Sequence, residues 1–463
     1  MGAAPAPRSG HACATLARAQ RAAAAPSIHV NITPMAAATP WRWIPTLYFA
    51  QGLPYVVVMT LSVVMYKNLG VSNTEIALYT SWLYLPWVIK PLWGPLVDLL
   101  GTKRRWIVGL QFSVGVAFAL VALTLPGPKF LQMTLAMFWL MAFASATHDI
   151  AADGFYMLAL PQRSQAAFVG VRSTFYRLSM LGGQGGLVYL AGWLAESQGS
   201  VVLAWTWVFW LLAGVFVAAA LLHLWLLPRP ASDGPVPRSA TFSADFVAVF
   251  AAFFRQRDIV RILAFLLLYR FAEAQLLKLV TPFLLDARSA GGLGLRTQDV
   301  GIAYGTVGVI ALTLGGLAGG WVISRGGLKK LLWPLMICMH APNLLFVLLA
   351  ITQPTSVAVV SAALAVEQFG YGFGFTAYMV FMLMVAGSSD GSADGSAVHK
   401  TAHYALCTGF MALGMMLPGM WAGWLQSQLG YTQFFIWGCV ATLPSFVAAA
   451  LLRIDPEFGR RAD

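Results

Sequence analysis

Twelve stretches of this 463-residue chain are apolar over enough length to cross a lipid bilayer, which leaves few folds open to it. A spanning helix needs about 20 predominantly apolar residues. The stretches lie near 44–66, 75–98, 106–126, 131–160, 166–194, 203–227, 259–285, 299–323, 331–352, 356–386, 401–427 and 431–453. Strands of a membrane barrel would be about half as long, and lipid cannot satisfy an open sheet edge, so helices remain. Hydrophobic residues make up 59% of the chain and charged residues 10%, too little polar surface to cover a soluble globule of this length.

The runs fall six and six about a Pro/Ser/Gly-rich stretch, and a turn recurs once in each set. Gly94, Asp98, Gly101, Lys103 and Arg104 follow the second run; Gly320, Ser324, Gly327, Lys329 and Lys330 follow the eighth at the same spacing. A small residue, a glycine and two basic residues after a membrane-length run form a tight helix-to-helix turn with a cationic tip. The pattern predicts an all-α integral membrane protein of 12 transmembrane helices, built as two pseudo-repeated six-helix bundles over 41–228 and 259–453. Between them, 229–258 is a linker whose apolar stretch from Phe242 to Arg255 reads as an interfacial helix. Residues 454–463 form a tail. Residues 1–40 hold no acid and no continuous apolar core, so they read as a disordered extension rather than a secretory signal, with Met35 a candidate start.

Net charge is +12, but the basic residues sit in short loops between apolar runs and not on one wet face, which argues against nucleic acid. With the N-terminus inside, seventeen Lys and Arg fall on the inner side, against Lys67, Lys129, Arg288 and Arg296 outside. Both termini are therefore expected in the cytoplasm. Cys13, Cys338, Cys407 and Cys439 lie far apart and suggest neither a disulfide framework nor a metal site.

Charges inside the runs are the candidates for function, because each costs about 2.5–3.5 kcal/mol at a helix centre unless it is paired, hydrated or occupied. They are Lys90, His148, Asp149, Asp153, Arg172, Arg177, Arg270, Glu273, Lys278 and Glu367, the last beside Gln368. Asp149 and Asp153 are one helical turn apart on one face. Arg172 and Arg177 follow in the next run. A carboxylate beside a guanidinium in a dry cavity is a two-state element suited to proton coupling. His148 and Asp153 also have the spacing of an acyltransferase pair, but on one helix they diverge by roughly 140°, so no catalytic residue is assigned. Aromatic residues around these charges, Tyr79, Trp82 and Tyr84 near Lys90 and Tyr371 and Tyr378 after Glu367, suit an amphipathic solute such as a sugar.

The repeated turn resembles the loops between the second and third and the eighth and ninth helices of the major facilitator superfamily. More narrowly, Gln51 to Pro54, Ser145 to Ile150 with Asp153, Tyr176 to Leu178, Glu367 with Gln368, and Ala422 to Trp424 followed by Gly430 and Tyr431 resemble the AmpG-type muropeptide permeases of the peptide and acetyl-coenzyme A transporter family. The likeness covers about 41–453. It implies proton-driven import of a GlcNAc-anhydro-muramyl sugar or its peptide across the bacterial inner membrane, by alternating access. The implied partners are the small solute and membrane lipid, with the protein acting as a monomer, the proton gradient as energy source and no cofactor. The resemblance assigns coupling roles to Asp149, Asp153, Arg177 and Glu367 and a gating role to the two turns. The chain departs from the branch at His148, Phe155 and Gln368, so a siderophore, acetyl-coenzyme A or another saccharide stays open as the solute.

Overall fold

The computed structural model describes residues 39–234, 242–387 and 397–455, together with 2, 458 and 459. Expectations for residues 1–38, for the side chains of Asp98 and Arg163, and for Arg238, Arg460 and Arg461 fall outside the described residues. All of the spans belong to the unit that begins at Thr39.

The regular secondary structure of the described residues is helical, and its elements group into twelve segments in chain order, with one further helix between the sixth and the seventh. The first four are Pro40–Asn68; Asn73–Trp82 with Leu85–Leu99; Lys103–Thr124; and Phe130–Ala159. The fifth runs from Gln162–Leu181 through a π-helical turn, Gly182–Leu187, into Val188–Gln198, and the sixth is Val201–Leu226. A helix at Phe242–Phe254 follows the linker. The seventh is Ile259–Leu268 with Phe271–Leu285, the eighth Thr297–Gly326, the ninth Leu328–Thr352 and the tenth Val357–Gly387. The eleventh is Ala397–Met420, carried on into Ala422–Val440 as far as Gly430. The remainder of that helix, with Leu443–Ala450, is the twelfth. Gly430 separates the last two spans because its φ of 72° and ψ of 172° suit a residue without a Cβ.

Local chemistry places the other ends. Ser72 and Glu75 form a reciprocal capping box at the start of the second span, and Thr102 accepts a hydrogen bond from the Arg105 amide at the start of the third. Asp233, from the linker, accepts from the amides of Lys103 and Arg104 at 2.7 and 3.1 Å, holding the same helix start from outside. The Arg104 guanidinium turns back to the carbonyls of Leu224 and Leu227. The first basic turn is thus fastened to the linker. In the second copy the Ser324 hydroxyl bonds within its own helix, to the Trp321 carbonyl at 2.8 Å, and Lys329 and Lys330 are exposed.

Among the described residues, eight helices are long and apolar enough to cross a bilayer on length and composition alone. The second, fifth, seventh and eleventh spans are not among them, since they are interrupted or carry polar side chains, and these are spans through which the halves meet. The second packs on the eleventh, the fifth on the eighth, and the seventh also on the first. Each half has two apolar clusters, one toward the face that bears the linker and one toward the far face. In the N-terminal half they centre on Phe155 and Phe118, in the C-terminal half on Phe265 and Phe283. Phe253 of the linker helix is buried in the third of these and stacks on Phe410. Exposed Leu123, Leu140, Leu317, Ile351 and Trp225 face outward, as lipid contact requires.

Where the fifth and eighth spans meet, two π-helical turns, Gly182–Leu187 and Gly301–Gly308, bring backbone against backbone. A Cβ on Gly305 would fall 2.6 Å from the Gly185 amide nitrogen. Gly305→Val is therefore expected to force the seam apart and cut the yield of folded protein several-fold, measured by fluorescence-detected gel filtration. An unchanged yield and melting temperature would show that the seam yields freely.

Candidate functional site

Between the halves lies a cavity of about 670 Å³, walled by the first, second and fifth spans on one side and the seventh, eighth, tenth and eleventh on the other. Among the described residues lining it are four cations, Arg172, Arg177, Arg270 and Lys278, and no acid. Tyrosines supply much of the remaining wall: Tyr48, Tyr55, Tyr84, Tyr176, Tyr304 and Tyr371. The wall therefore offers positive charge, hydroxyls and aromatic faces to whatever enters.

The acids stand behind the cations. Arg172 donates to Asp153 at 2.8 Å and lies over the rings of Tyr48 and Tyr156, 4.7 and 5.4 Å from their centroids. Arg270 donates to Glu273 at 3.2 Å, hydrogen-bonds the Tyr371 hydroxyl and sits 4.9 Å above the Phe375 ring. Cation–π contact and a carboxylate together hold each guanidinium in place where water is scarce. Arg172 is at the wetter end, with its side chain 33% exposed, whereas Arg270 and Lys278 are 7% and 4% exposed.

Asp149 is held by neutral donors, the Gln51 amide at 3.0 Å and the Trp87 indole at 3.2 Å, with Lys90 at 3.9 Å. Glu367 is 4% exposed; it accepts a hydrogen bond from Gln368 at 2.8 Å and forms no ion pair among the described residues. Glu367 is thus a carboxyl in a dry setting, while the Asp149 side chain is 18% exposed; both have fixed amide or indole donors.

Of the residues singled out in the sequence, Arg172, Arg177, Arg270, Lys278, Tyr84 and Tyr371 line the cavity. Asp153 and Glu273 pair directly with lining arginines, while Lys90 and Asp149 form a second layer behind Gln51. Glu367 and Gln368 sit behind the tenth span's lining face. Four lie away from the wall and from the layer behind it. Tyr378 is fully buried, stacked on Tyr269 and donating to the Leu266 carbonyl; Tyr79 and Trp82 lie outside the lining. His148 turns the other way, into a buried chain in which Gln111 bridges it to His223 at 3.0 and 2.7 Å, with Thr46 beyond at 3.0 Å. The expected carboxylate–guanidinium set is only half made, because Asp149 meets Lys90, and Arg177 meets no carboxylate among the described residues.

Gln51, Tyr55, Tyr176, Gln184 and Tyr304 were not among the expected cavity residues, whereas Tyr84 was, as one of the aromatic residues around Lys90. Tyr84 had a readable signal: it stands just ahead of Leu85 and Pro86, where the second span breaks.

The far face is closed by polar contacts across the halves. Asp286 takes the Lys67 ammonium, the Asn73 amide at 3.2 Å and the Tyr431 hydroxyl at 2.5 Å. Asn73 also donates to Gln426 and Tyr431 at 3.0 Å each, and Asn68 bonds Thr297 at 2.9 Å. Two bundles round a central cavity, closed at one face and lined with charge, define a secondary transporter.

Residues 46–398 match the family model of the Major Facilitator Superfamily, and the chain belongs to that family. It is 28% identical over 429 residues to the anhydromuropeptide permease of Escherichia coli strain K12, covering 90% of this chain and 80% of the relative. The likeness to the AmpG-type branch therefore runs through nearly the whole bundle. Among solved structures, the nucleoside transporter NupG superposes with a TM-score of 0.63 at 15% identity, over 91% of this chain and all of that one. A D-xylose-proton symporter does so with a TM-score of 0.62 at 15% identity, over 92% of this chain. These two share the fold. The chain is a multi-pass membrane transporter and not an enzyme.

Proposed function

We propose that this carrier imports a muropeptide-like solute, a GlcNAc-anhydro-muramyl sugar or its peptide, by proton-coupled alternating access. The observation that carries the reading is the cavity wall, with its four cations, no acid among the described lining residues and six tyrosines. Sugar rings have apolar faces that pack on aromatic rings and hydroxyls that bond to tyrosine and glutamine. Muramyl and peptide carboxylates match arginine and lysine. The anhydromuropeptide permease of E. coli, similar over 90% of this chain, supports the same class.

In this reading the linker face lies in the cytoplasm and the far face in the periplasm of a bacterial inner membrane, an orientation that the basic residues of the loops support. The conformation closed by Asp286 is then inward-facing. Glu367 and Asp149 are the proton acceptors in this reading, since each carboxyl can change charge without losing its amide or indole donors. Arg172 with Asp153 is the pair a solute acid would rearrange. The carrier works as a monomer in lipid, with the proton gradient as energy source and no cofactor. One proton crossing about 150 mV supplies roughly 3.5 kcal/mol, enough to accumulate a neutral solute a few-hundred-fold. The basic turns at Lys103–Arg104 and Lys329–Lys330 latch the cytoplasmic face when the cavity opens outward.

Uptake of radiolabelled GlcNAc-anhydro-muramyl tripeptide into proteoliposomes tests this. With an inward proton gradient the solute should accumulate; collapsing the gradient should bring inside and outside concentrations level. Glu367→Gln should keep counterflow exchange and lose accumulation. Accumulation that ignores the gradient, or survives in both Glu367→Gln and Asp149→Asn, would remove the coupling assignment.

A further inference from the structure

Two of the four cavity cations are already spoken for, Arg172 by Asp153 and Arg270 by Glu273. The other two are not. Among the described residues Arg177 hydrogen-bonds only the Thr313 hydroxyl, at 3.4 Å, and Lys278 reaches the Thr80 hydroxyl at 2.9 Å while its ammonium stands 5.2 Å from the Tyr84 ring centroid. Lys278 is 4% exposed, and among the described residues no carboxylate pairs with it. A bare cation this deep in a membrane protein is costly, and such residues mark a path or site where the charge is met in use.

The two cations share an arrangement. Each threonine spends its own proton on the carbonyl four residues back, Thr313 on Val309 at 2.8 Å and Thr80 on Ile76 at 2.7 Å, so its oxygen is left as the acceptor. Each bond also crosses between the halves, Arg177 of the fifth span to the eighth and Lys278 of the seventh to the second. They lie at different seams, one where the fifth and eighth spans meet and one where the second, seventh and eleventh meet. A neutral hydroxyl is a weak partner for a full charge, whereas a carboxylate brings the opposite charge and can take a guanidinium by two parallel bonds.

We propose that Arg177 and Lys278 form a two-point clasp for the solute, so that the carrier selects molecules bearing two separated acidic groups. This rests on the reading that the cavity is the solute site, and it narrows the solute to a diacid. When such a solute binds, its acids replace both threonine hydroxyls at once, exchanging two direct ties between the halves for ties made through the solute. A mono-acid can replace only one.

The test is calorimetric titration of the purified full-length carrier with a graded series: GlcNAc-anhydro-muramyl compounds with no, one or two free carboxylates, the others amidated, and sugar-free peptides graded in the same way. Affinity should rise about tenfold with each of the first two acids, the usual size for a charge-assisted bond gained. In Lys278→Gln or Arg177→Gln the diacid should bind only as well as the mono-acid, and Lys278→Arg should keep most of the second step. Wild-type protein that binds neutral and diacidic members equally, or binds none, overturns the clasp, and so does a second step that survives in both glutamine variants. The wild-type series decides the matter even if a variant fails to fold. Acid-dependent binding of the sugar-free peptides with none of the sugar-bearing compounds would keep the clasp and overturn the muropeptide reading.

Discussion

Asp286→Asn is expected to shift the carrier about thirtyfold toward the conformation open at the far face, on the scale of an uncompensated, partly buried charge. The carboxylate gathers three donors, Lys67 and Asn73 from one half and Tyr431 from its own, and no other described residue ties Lys67 to the C-terminal half. Substitution by an amide leaves the Lys67 ammonium without its counter-charge. Both side chains keep partial solvent contact, 15% and 19% exposed, so the loss is nearer about 2 kcal/mol than the larger figure for a fully dry pair. Spin labels at Lys129 and Thr355, one on each half at that face, read the change as a longer distance in pulsed electron resonance. Transport should fall at least about tenfold, because a carrier that favours one conformation by such a margin completes few cycles. An unaltered distance distribution would mean that the Asn68, Asn73 and Gln426 contacts close the face by themselves.

Arg270→Gln should produce the largest loss of stability, about 3–5 kcal/mol, by leaving Glu273 buried and unpaired. The two side chains are 9% and 6% exposed, and the guanidinium also supports Tyr371 and Phe375. The double variant Arg270→Gln, Glu273→Gln removes both charges and should regain most of that stability, since two neutral amides can still bond. Uptake should be lost in both, because the cavity has then lost one of its four cations. Thermal unfolding in detergent separates the two effects. A single variant as stable as the double would show that the pair is not coupled.

Much of the architecture could be read from the chain, for a simple reason: lipid imposes length and apolarity on each span, and both are properties of consecutive residues. The spans expected near 131–160, 203–227 and 356–386 agree closely with Phe130–Ala159, Val201–Leu226 and Val357–Gly387. The site was less legible. That Asp149 and Asp153 share a face follows from helical spacing, but which neighbour that face meets does not. His148 and Asp149 are adjacent in sequence and about 100° apart around the helix. One joins Gln111 in the interior of a half and the other joins Gln51 and Lys90 toward the cavity. Arg177 and Lys278 were readable as buried charges, but their lack of a carboxylate depends on spans far apart in the chain. Asp233 could not be placed at all, because a Pro- and Gly-rich linker has no period that says where it returns.

The hydrogen-bonded chain from Thr46 through His223 and Gln111 to His148 bears on the order in which this protein is made. Its members come from the first, sixth, third and fourth spans, and Gln111 receives its partner His223 only with the last helix of the half. A ribosome feeding helices into the membrane one at a time leaves Gln111 and Thr46 without their His223 partner until the sixth helix arrives. The first half is therefore completed as a unit, with its sixth helix as the closing piece. A chain cut after Gln198 would hold five inserted helices and an unfinished interior, the kind of intermediate that membrane quality control removes.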